Sequence, residues 1–118
     1  MNNKKDSAVS ATYQSLYTAV EKRAQAAKIK TFLSTQITFT GNIECRPMYV
    51  RYEDGNCEVA PYEYINASFY IDADAQALAD AFNGERSITD LIAEDLIRVN
   101  GDAGLAILFF EAVISAAK

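Results

Sequence analysis

Apolar residues recur along the chain with two different periods. Between residues 7 and 28 they return every three or four positions, as at Leu16, Val20 and Ala24, which predicts an amphipathic helix. Over residues 35–40 and 47–53 they alternate with polar residues, which predicts two strands. The Asp54-Gly55 pair then predicts a tight hairpin into a third strand at residues 57–59, because Gly accepts the positive φ of such a turn.

The second half of the chain carries clear start and stop signals for helices. Asp72 and Asp74 can both cap a helix that carries Leu78 and Phe82, and residues 83–84 form a typical C-terminal exit. Residues 67–71 predict a fourth strand before this helix, residues 87–90 resemble the capping box of a short helix, and residues 96–99 predict a fifth strand. This order predicts one α+β domain over residues 1–118, with helices on one sheet face and a disordered terminus at residues 1–6.

The predicted terminal helix is apolar around most of its circumference. Asp102 can accept from the free amides of its first turn, so the helix is expected to run from Ala103. Its narrow polar stripe consists of Gly104, Glu111, Ser115 and Lys118. Its large apolar side chains are Leu105, Ile107, Leu108, Phe109, Phe110, Val113 and Ile114. One packing partner covers an arc of about 100°, so the excess must be covered by more of the chain, by a second copy, or by a lipid-like ligand.

Residues 83–106 resemble the signature of the sterol carrier protein type 2 domain, a lipid-binding family. The shared features are Gly84 at the end of one helix, a short helix, the strand at residues 96–99, and the Gly-x-x-Gly-Leu-Ala turn at residues 101–106. Gly101 permits a tight strand-to-helix turn, and Gly104 is expected to let the last helix approach neighbouring backbone closely. The resemblance implies a sterol-carrier-protein-like fold with a five-stranded mixed, largely antiparallel sheet and an apolar tunnel lined by the terminal helix.

The same resemblance implies a non-enzymatic carrier of a lipid, such as a fatty acyl-like molecule, or of another hydrophobic small molecule. Its tunnel would lie between the terminal helix, the two shorter helices and the inner sheet face. The candidate ligand-binding residues are Phe82, Ile92, Leu105, Leu108, Phe109 and Val113, and each is equally compatible with a plain core role. The alternative is an interaction module of the same fold, in which the apolar helix packs against a second copy or another protein and no ligand binds.

Charge and composition argue against several other classes. The net charge is −5 and the pI is near 4.6, without basic runs between aromatic residues, which disfavours nucleic acid and anionic membranes as partners. The chain contains no histidine, which removes Ser-His and Cys-His nucleophile pairs and histidine metal sites. No catalytic activity and no cofactor are therefore expected.

The remaining chemical candidates favour structural roles. The carboxylate pairs Asp72 with Asp74 and Glu94 with Asp95 fit helix capping or solvation better than acid–base catalysis. Cys45 and Cys57 could face each other across a hairpin, but the pattern favours buried free thiols. No secretory signal is seen, and no apolar run approaches the ~18 residues of a membrane span, so no integral membrane segment and a cytoplasmic location are expected.

Overall fold

The computed structural model of the protein describes residues 8–41 and 46–115, which form four helices and five strands. The elements in chain order are α1 (Tyr13–Ala26), β1 (Leu33–Thr40), β2 (Pro47–Glu53), β3 (Asn56–Ala60), β4 (Phe69–Asp74), α2 (Ala75–Phe82), α3 (Ile88–Ala93), β5 (Ile97–Gly101) and α4 (Ala103–Ser115). This is the predicted order of elements. The predicted terminus at residues 1–6 lies outside the described residues.

The strands form one mixed sheet in the order β3-β2-β1-β4-β5. The central strand β1 runs parallel to β4, and the other neighbouring pairs are antiparallel. The register places Ile37 on β1 beside Met48 on β2 and Ile71 on β4, so alternate apolar residues meet on one face. The predicted α+β class and the largely antiparallel sheet are confirmed.

The two faces of the sheet differ in polarity, because apolar and polar side chains alternate along β1. Its helix-facing side carries buried Ile37 and Phe39, whereas the opposite side carries Gln36 and Thr38. The amide of Tyr64, in the loop before β4, donates to Gln36 Oε1 at 2.9 Å on that polar side. The largest fully buried side chains are Tyr52, Phe39, Phe69, Phe109, Leu16, Leu33, Met48, Ile71, Leu91, Ile97, Val20 and Val50. The core therefore lies between one sheet face and the helices.

Helix α1 begins at Tyr13, six residues later than the sequence pattern predicts. Thr12 is extended, and its side chain accepts a hydrogen bond from the Ser15 amide at 3.2 Å. Before it, the Val9 amide donates to Asn83 Oδ1 at 2.8 Å, and Asn83 Nδ2 donates to the Val9 carbonyl at 2.9 Å. These two bonds hold residue 9 against the end of α2, so the chain there is not available to a longer α1.

Strand β4 extends to Asp74, three residues beyond the predicted end at Ile71. Asp72 lies within the strand opposite Arg98 of β5, so the prediction that it caps α2 is wrong. Asp74 alone is the N-cap, and its side chain accepts from the Ala77 amide at 3.1 Å. Pairing with β5 on one side and β1 on the other keeps Asp72 in the sheet.

The other predicted turns and caps are present. Asp54 and Gly55 both have positive φ, 53° and 80°, as a tight hairpin between β2 and β3 requires. Ser87 accepts from the Asp90 amide at 3.1 Å, and Asp102 accepts from the Leu105 amide at 3.0 Å, so both predicted N-caps are confirmed. Cys57 is a half-buried free thiol, and Cys45 lies outside the described residues.

At Gly101, the last residue of β5, the backbone closely approaches that of residues 68 and 69. Gly101 has a φ of 121°, and a Cβ there would lie 2.7 Å from both Phe69 Cα and the Ser68 carbonyl oxygen. Gly104 was expected to provide such a close approach, but it is exposed and a Cβ would meet only the Asp102 side chain, at 3.4 Å. The close approach therefore belongs to the strand end and not to the first turn of α4.

We expect Gly101→Ala to lower the free energy of unfolding by more than about 2 kcal/mol, because the new methyl group clashes with backbone and the residue is held at positive φ. Urea denaturation measures this loss. Gly84→Ala is the matched control, since Gly84 also has positive φ but open space around it, and it should cost only about 1 kcal/mol. Equal losses in the two variants would contradict the close approach at Gly101.

Tyr52 links the sheet to α1 through a buried hydroxyl. This hydroxyl donates to the Ala24 carbonyl at 2.6 Å, and the side chain is only 2% exposed. Burial raises the pKa of Tyr52 well above its usual value, with smaller contributions from Cys57, its cross-strand neighbour on β3. The unfolded protein therefore releases this proton near pH 10 while the folded protein retains it. Stability that is present below about pH 10 is lost as the pH rises.

We expect Tyr52→Phe to flatten this alkaline loss of stability. Between about pH 9 and pH 11 the variant should lose about 1 kcal/mol less unfolding free energy than the wild type, because the loss of ~1.4 kcal/mol per pH unit begins only near pH 10. Urea denaturation across this range measures the difference. Tyr62→Phe, at a tyrosine 66% exposed, should follow the wild type. A Tyr52→Phe profile parallel to the wild type would contradict the assignment.

Candidate ligand-binding cleft

A cleft lies between α3 and α4, next to the edge strand β5. It consists of two adjoining cavities of about 260 and 420 Å³, whose walls share Ile92, Ile107 and Phe110. We call these two cavities together the α3–α4 cleft. Sites for small molecules usually occupy about 300–1,000 Å³, so the cleft is of the size that a small hydrophobic ligand needs.

The cleft has apolar walls and polar edges. The smaller cavity is further lined by Arg86, Ser87, Ile88, Thr89, Glu111 and Ile114. The larger cavity is further lined by Asp95, Ile97, Arg98, Val99, Ala103 and Ala106. The aliphatic walls of the cleft favour a hydrocarbon chain. The charged and hydroxyl groups at its edges favour the polar end of a ligand.

Helix α4 exposes apolar side chains on its outer side, and those of Ile107 and Ile114 line the cleft. The sheet and α1 bury Phe109 and Val113, whereas Ile107 remains 59% exposed and Leu108 39% exposed. Across the cleft, Ile92 of α3 is 43% exposed. The expected excess of apolar surface on α4 is therefore present in the described residues, and part of it faces α3.

The six predicted ligand-binding residues do not form one wall. Ile92 lines both cavities of the cleft, and Phe82, Phe109 and Val113 line a separate space between α4, α2 and the sheet. That inner space has a volume of about 10 Å³, which is room for about one water molecule. Leu105 and Leu108 line none of these three cavities. The volume expected as a tunnel is thus almost filled by side chains, and the larger free volume lies on the other side of α4.

Sequence reasoning missed the residues that form the cleft on α4. Ile107, Phe110 and Ile114 follow one another at spacings of three and four residues, so they lie along one helix face. Ile88 and Ile92 on α3 share the same kind of spacing. The helical spacing of isoleucine and phenylalanine was visible in both segments. The sequence does not show, however, that the apolar faces of α3 and α4 oppose each other.

Phe110 occupies a special position between the two spaces. It is 7% exposed and lines the inner cavity as well as both cavities of the cleft. Its ring lies 5.9 Å from that of Phe109, which in turn lies 5.9 Å from Phe69 of β4. This row of aromatic rings thus leads from the sheet to the cleft. Phe110 separates the inner cavity from the cleft.

Arg23 of α1 fixes the C-terminal end of α4. Its Nη1 donates to the carbonyls of Val113 and Ile114, both at 3.0 Å, and its Nη2 donates to the Phe82 carbonyl of α2 at 2.8 Å. The guanidinium also lies 4.8 Å from the centroid of the Phe82 ring. Partial burial lowers the pKa of Arg23. A cation at the ends of two helices satisfies carbonyls that lack intrahelical partners and interacts favourably with the helix dipoles.

Two ion pairs lie at the edges of the cleft. Arg98 donates from Nε and Nη2 to the two carboxylate oxygens of Asp95, at 3.0 and 2.8 Å. This partnership raises the pKa of Arg98. Arg86 of the smaller cavity pairs with Glu94, which follows α3. The carboxylates that sequence analysis considered, Glu94 and Asp95, are therefore engaged with arginines.

The described residues show neither a metal site nor a membrane-spanning helix. Within residues 8–41 and 46–115 no three Asp, Glu or Cys side chains are grouped so that they could hold a metal ion. In the same part of the chain no helix is long and apolar enough to cross a bilayer.

Structures of known proteins share this fold. The sterol carrier protein 2 like 2 from Aedes aegypti has a TM-score of 0.65 at 13% identity, over 83% of this chain and 95% of that one. A solution structure of palmitated SCP2L2 from the same organism has a TM-score of 0.61 at 14% identity, over 80% of this chain and 91% of that one. The protein therefore has the sterol carrier protein 2-like fold, as the sequence resemblance predicted.

The same fold also forms part of a larger enzyme. The sec-alkylsulfatase Pisa1 from Pseudomonas sp. has a TM-score of 0.59 at 11% identity, over 79% of this chain and 14% of the enzyme. The present chain thus corresponds to about one seventh of that enzyme. No model of a protein family and no curated protein matches the sequence.

We expect Arg23→Met to lower the free energy of unfolding by about 2 kcal/mol, because three carbonyls lose a charged donor. Urea denaturation measures the loss, and faster amide exchange at the end of α4 should accompany it. Lys22→Met is the matched control, since the neighbouring Lys22 is exposed, and it should change stability by less than about 0.5 kcal/mol. An equally small effect of both substitutions would contradict the role of Arg23.

Proposed function

We propose that the protein binds one lipid or similar hydrophobic small molecule in the α3–α4 cleft, as a carrier without covalent chemistry. The observation that carries this proposal is the apolar lining, formed by Ile92, Ile107 and Phe110, that two adjoining cavities of about 260 and 420 Å³ share. The likeness in fold to a palmitated protein supports a ligand with a long hydrocarbon chain.

The energetics favour a flexible hydrocarbon as the occupant. Ile107 and Ile92 are large aliphatic side chains at 59% and 43% exposure, and covering such surface contributes about 0.8 kcal/mol for each buried methylene group. The two cavities meet at these residues, so an extended chain can lie across both. Its polar end then reaches the charged edges of the cleft, where water remains accessible.

The inner residues support the cleft from behind in this proposal. The space between α4 and the sheet is filled by Phe82, Phe109 and Val113. The ring of Phe109 contacts that of Phe110 and supports it from the side of the sheet. Ile92 is the sequence-predicted residue that contacts the ligand directly. We place Leu105 and Leu108 outside the contact surface, because neither lines the cleft.

The adjacent exposed residues Ile107 and Leu108 provide a matched test. We expect the wild type to bind dodecanol with one site in isothermal titration calorimetry. Ile107→Asp should weaken this binding by at least about tenfold, because it removes aliphatic contact worth about 1.5–3 kcal/mol and adds a charge. Leu108→Asp should leave the affinity unchanged while placing the same charge on the same helix.

Circular dichroism of both variants confirms that the fold is intact before binding is compared. Equal losses in Ile107→Asp and Leu108→Asp, or no binding by the wild type, would contradict the proposal. In the second case, native mass spectrometry shows whether the chain forms a dimer, as the alternative of an interaction module requires.

A further inference from the structure

We propose that the α3–α4 cleft selects lipids with an uncharged polar end over fatty acid anions. This inference rests on the proposed function and specifies the class of ligand. It concerns the edges of the cleft, where the polar end of a bound lipid would lie. The arginines at these edges are already paired with carboxylates of the fold.

Both arginines that line the cleft have a carboxylate partner within the fold. Arg98 is engaged by Asp95 through two hydrogen bonds of 3.0 and 2.8 Å, a geometry that uses both oxygens of the carboxylate. Arg86 is engaged by Glu94. An incoming carboxylate would have to share an arginine whose charge is already balanced by a carboxylate of the fold, and it would place two like charges next to each other.

Glu111 adds one more negative charge to the smaller cavity. It is exposed and lines the wall on α4, and no cation among the described residues forms an ion pair with it. The formal charges at the cleft therefore sum to −1, from the two arginines Arg86 and Arg98 and the three carboxylates of Glu94, Asp95 and Glu111. The whole chain has a net charge of −5, which also disfavours an anion.

An uncharged polar end meets no such penalty. The Glu111 carboxylate accepts hydrogen bonds only, and it lies in the same cavity wall as the side chains of Ser87 and Thr89. A ligand hydroxyl can donate to such a carboxylate, whereas a ligand carboxylate cannot donate at neutral pH. The cleft is thus complementary to a long-chain alcohol or a comparable neutral lipid.

The test compares dodecanol with dodecanoate by calorimetric titration of the intact chain at neutral pH. We expect the wild type to bind the alcohol more tightly than the anion, and tighter binding of dodecanoate would overturn the selectivity. The decisive variant is Asp95→Asn, which releases Arg98 without removing the side chain. Asp95 has a φ of 65°, and Asn is tolerated at such positions.

We expect Asp95→Asn to strengthen dodecanoate binding relative to dodecanol binding roughly five- to tenfold, the effect of one charge-assisted hydrogen bond. This gain should disappear at about 1 M salt, where exposed charges are screened. Glu111→Gln is the second variant and should strengthen dodecanoate binding in the same direction. Asp54→Asn, in the β2–β3 turn, changes the net charge equally and should alter neither affinity.

The outcomes separate this inference from the proposed function. Unchanged dodecanoate affinity in both Asp95→Asn and Glu111→Gln, with dodecanol still bound, overturns the selectivity and leaves the cleft as a lipid site. An equal gain in Asp54→Asn also overturns it, because the effect would then come from net charge alone. Absence of binding for both probes overturns the proposed function itself.

Discussion

The packing of α4 sets the architecture of this protein. The helix carries large apolar side chains around most of its circumference, but the sheet and α1 can cover only the side with Phe109 and Val113. Placing that side inward turns Ile107 and Ile114 towards α3. The short helix α3 buries only Leu91 and exposes Ile92. Each helix packs its most buried side chains against the core, and the apolar side chains that remain exposed on the two helices form the walls of the cleft.

The closed interior and the open cleft are two results of the same arrangement. Aromatic rings from β4 and α4 fill the space beneath the helix, and Arg23 holds the helix end over them by bonding carbonyls of α2 and α4. With the inner side of α4 closed, the free volume next to this helix lies on its outer side. The ion pairs at residues 86–98 then give the cleft a charged edge with little capacity for a further anion.

Local patterns in the sequence predicted most of the fold, because turns and caps depend on neighbouring residues. The Asp54-Gly55 turn and the caps at Ser87 and Asp102 are examples. Predictions failed where contacts with residues distant in the sequence determine the structure. The bonds between Val9 and Asn83 shorten α1, and pairing with β5 keeps Asp72 in a strand. The cleft could not be located for the same reason, since its walls come from helices whose mutual orientation follows from packing and not from either sequence.

The bonds made by Arg23 also bear on how the chain can be assembled. They connect α1 with carbonyls 59, 90 and 91 residues further along. During synthesis from the N-terminus, α1 emerges from the ribosome long before its partners exist. The parallel pairing of β1 with β4 has to wait as well, and contacts between such distant segments slow folding. The domain can thus reach its native state only after the segment that forms α4 has been translated.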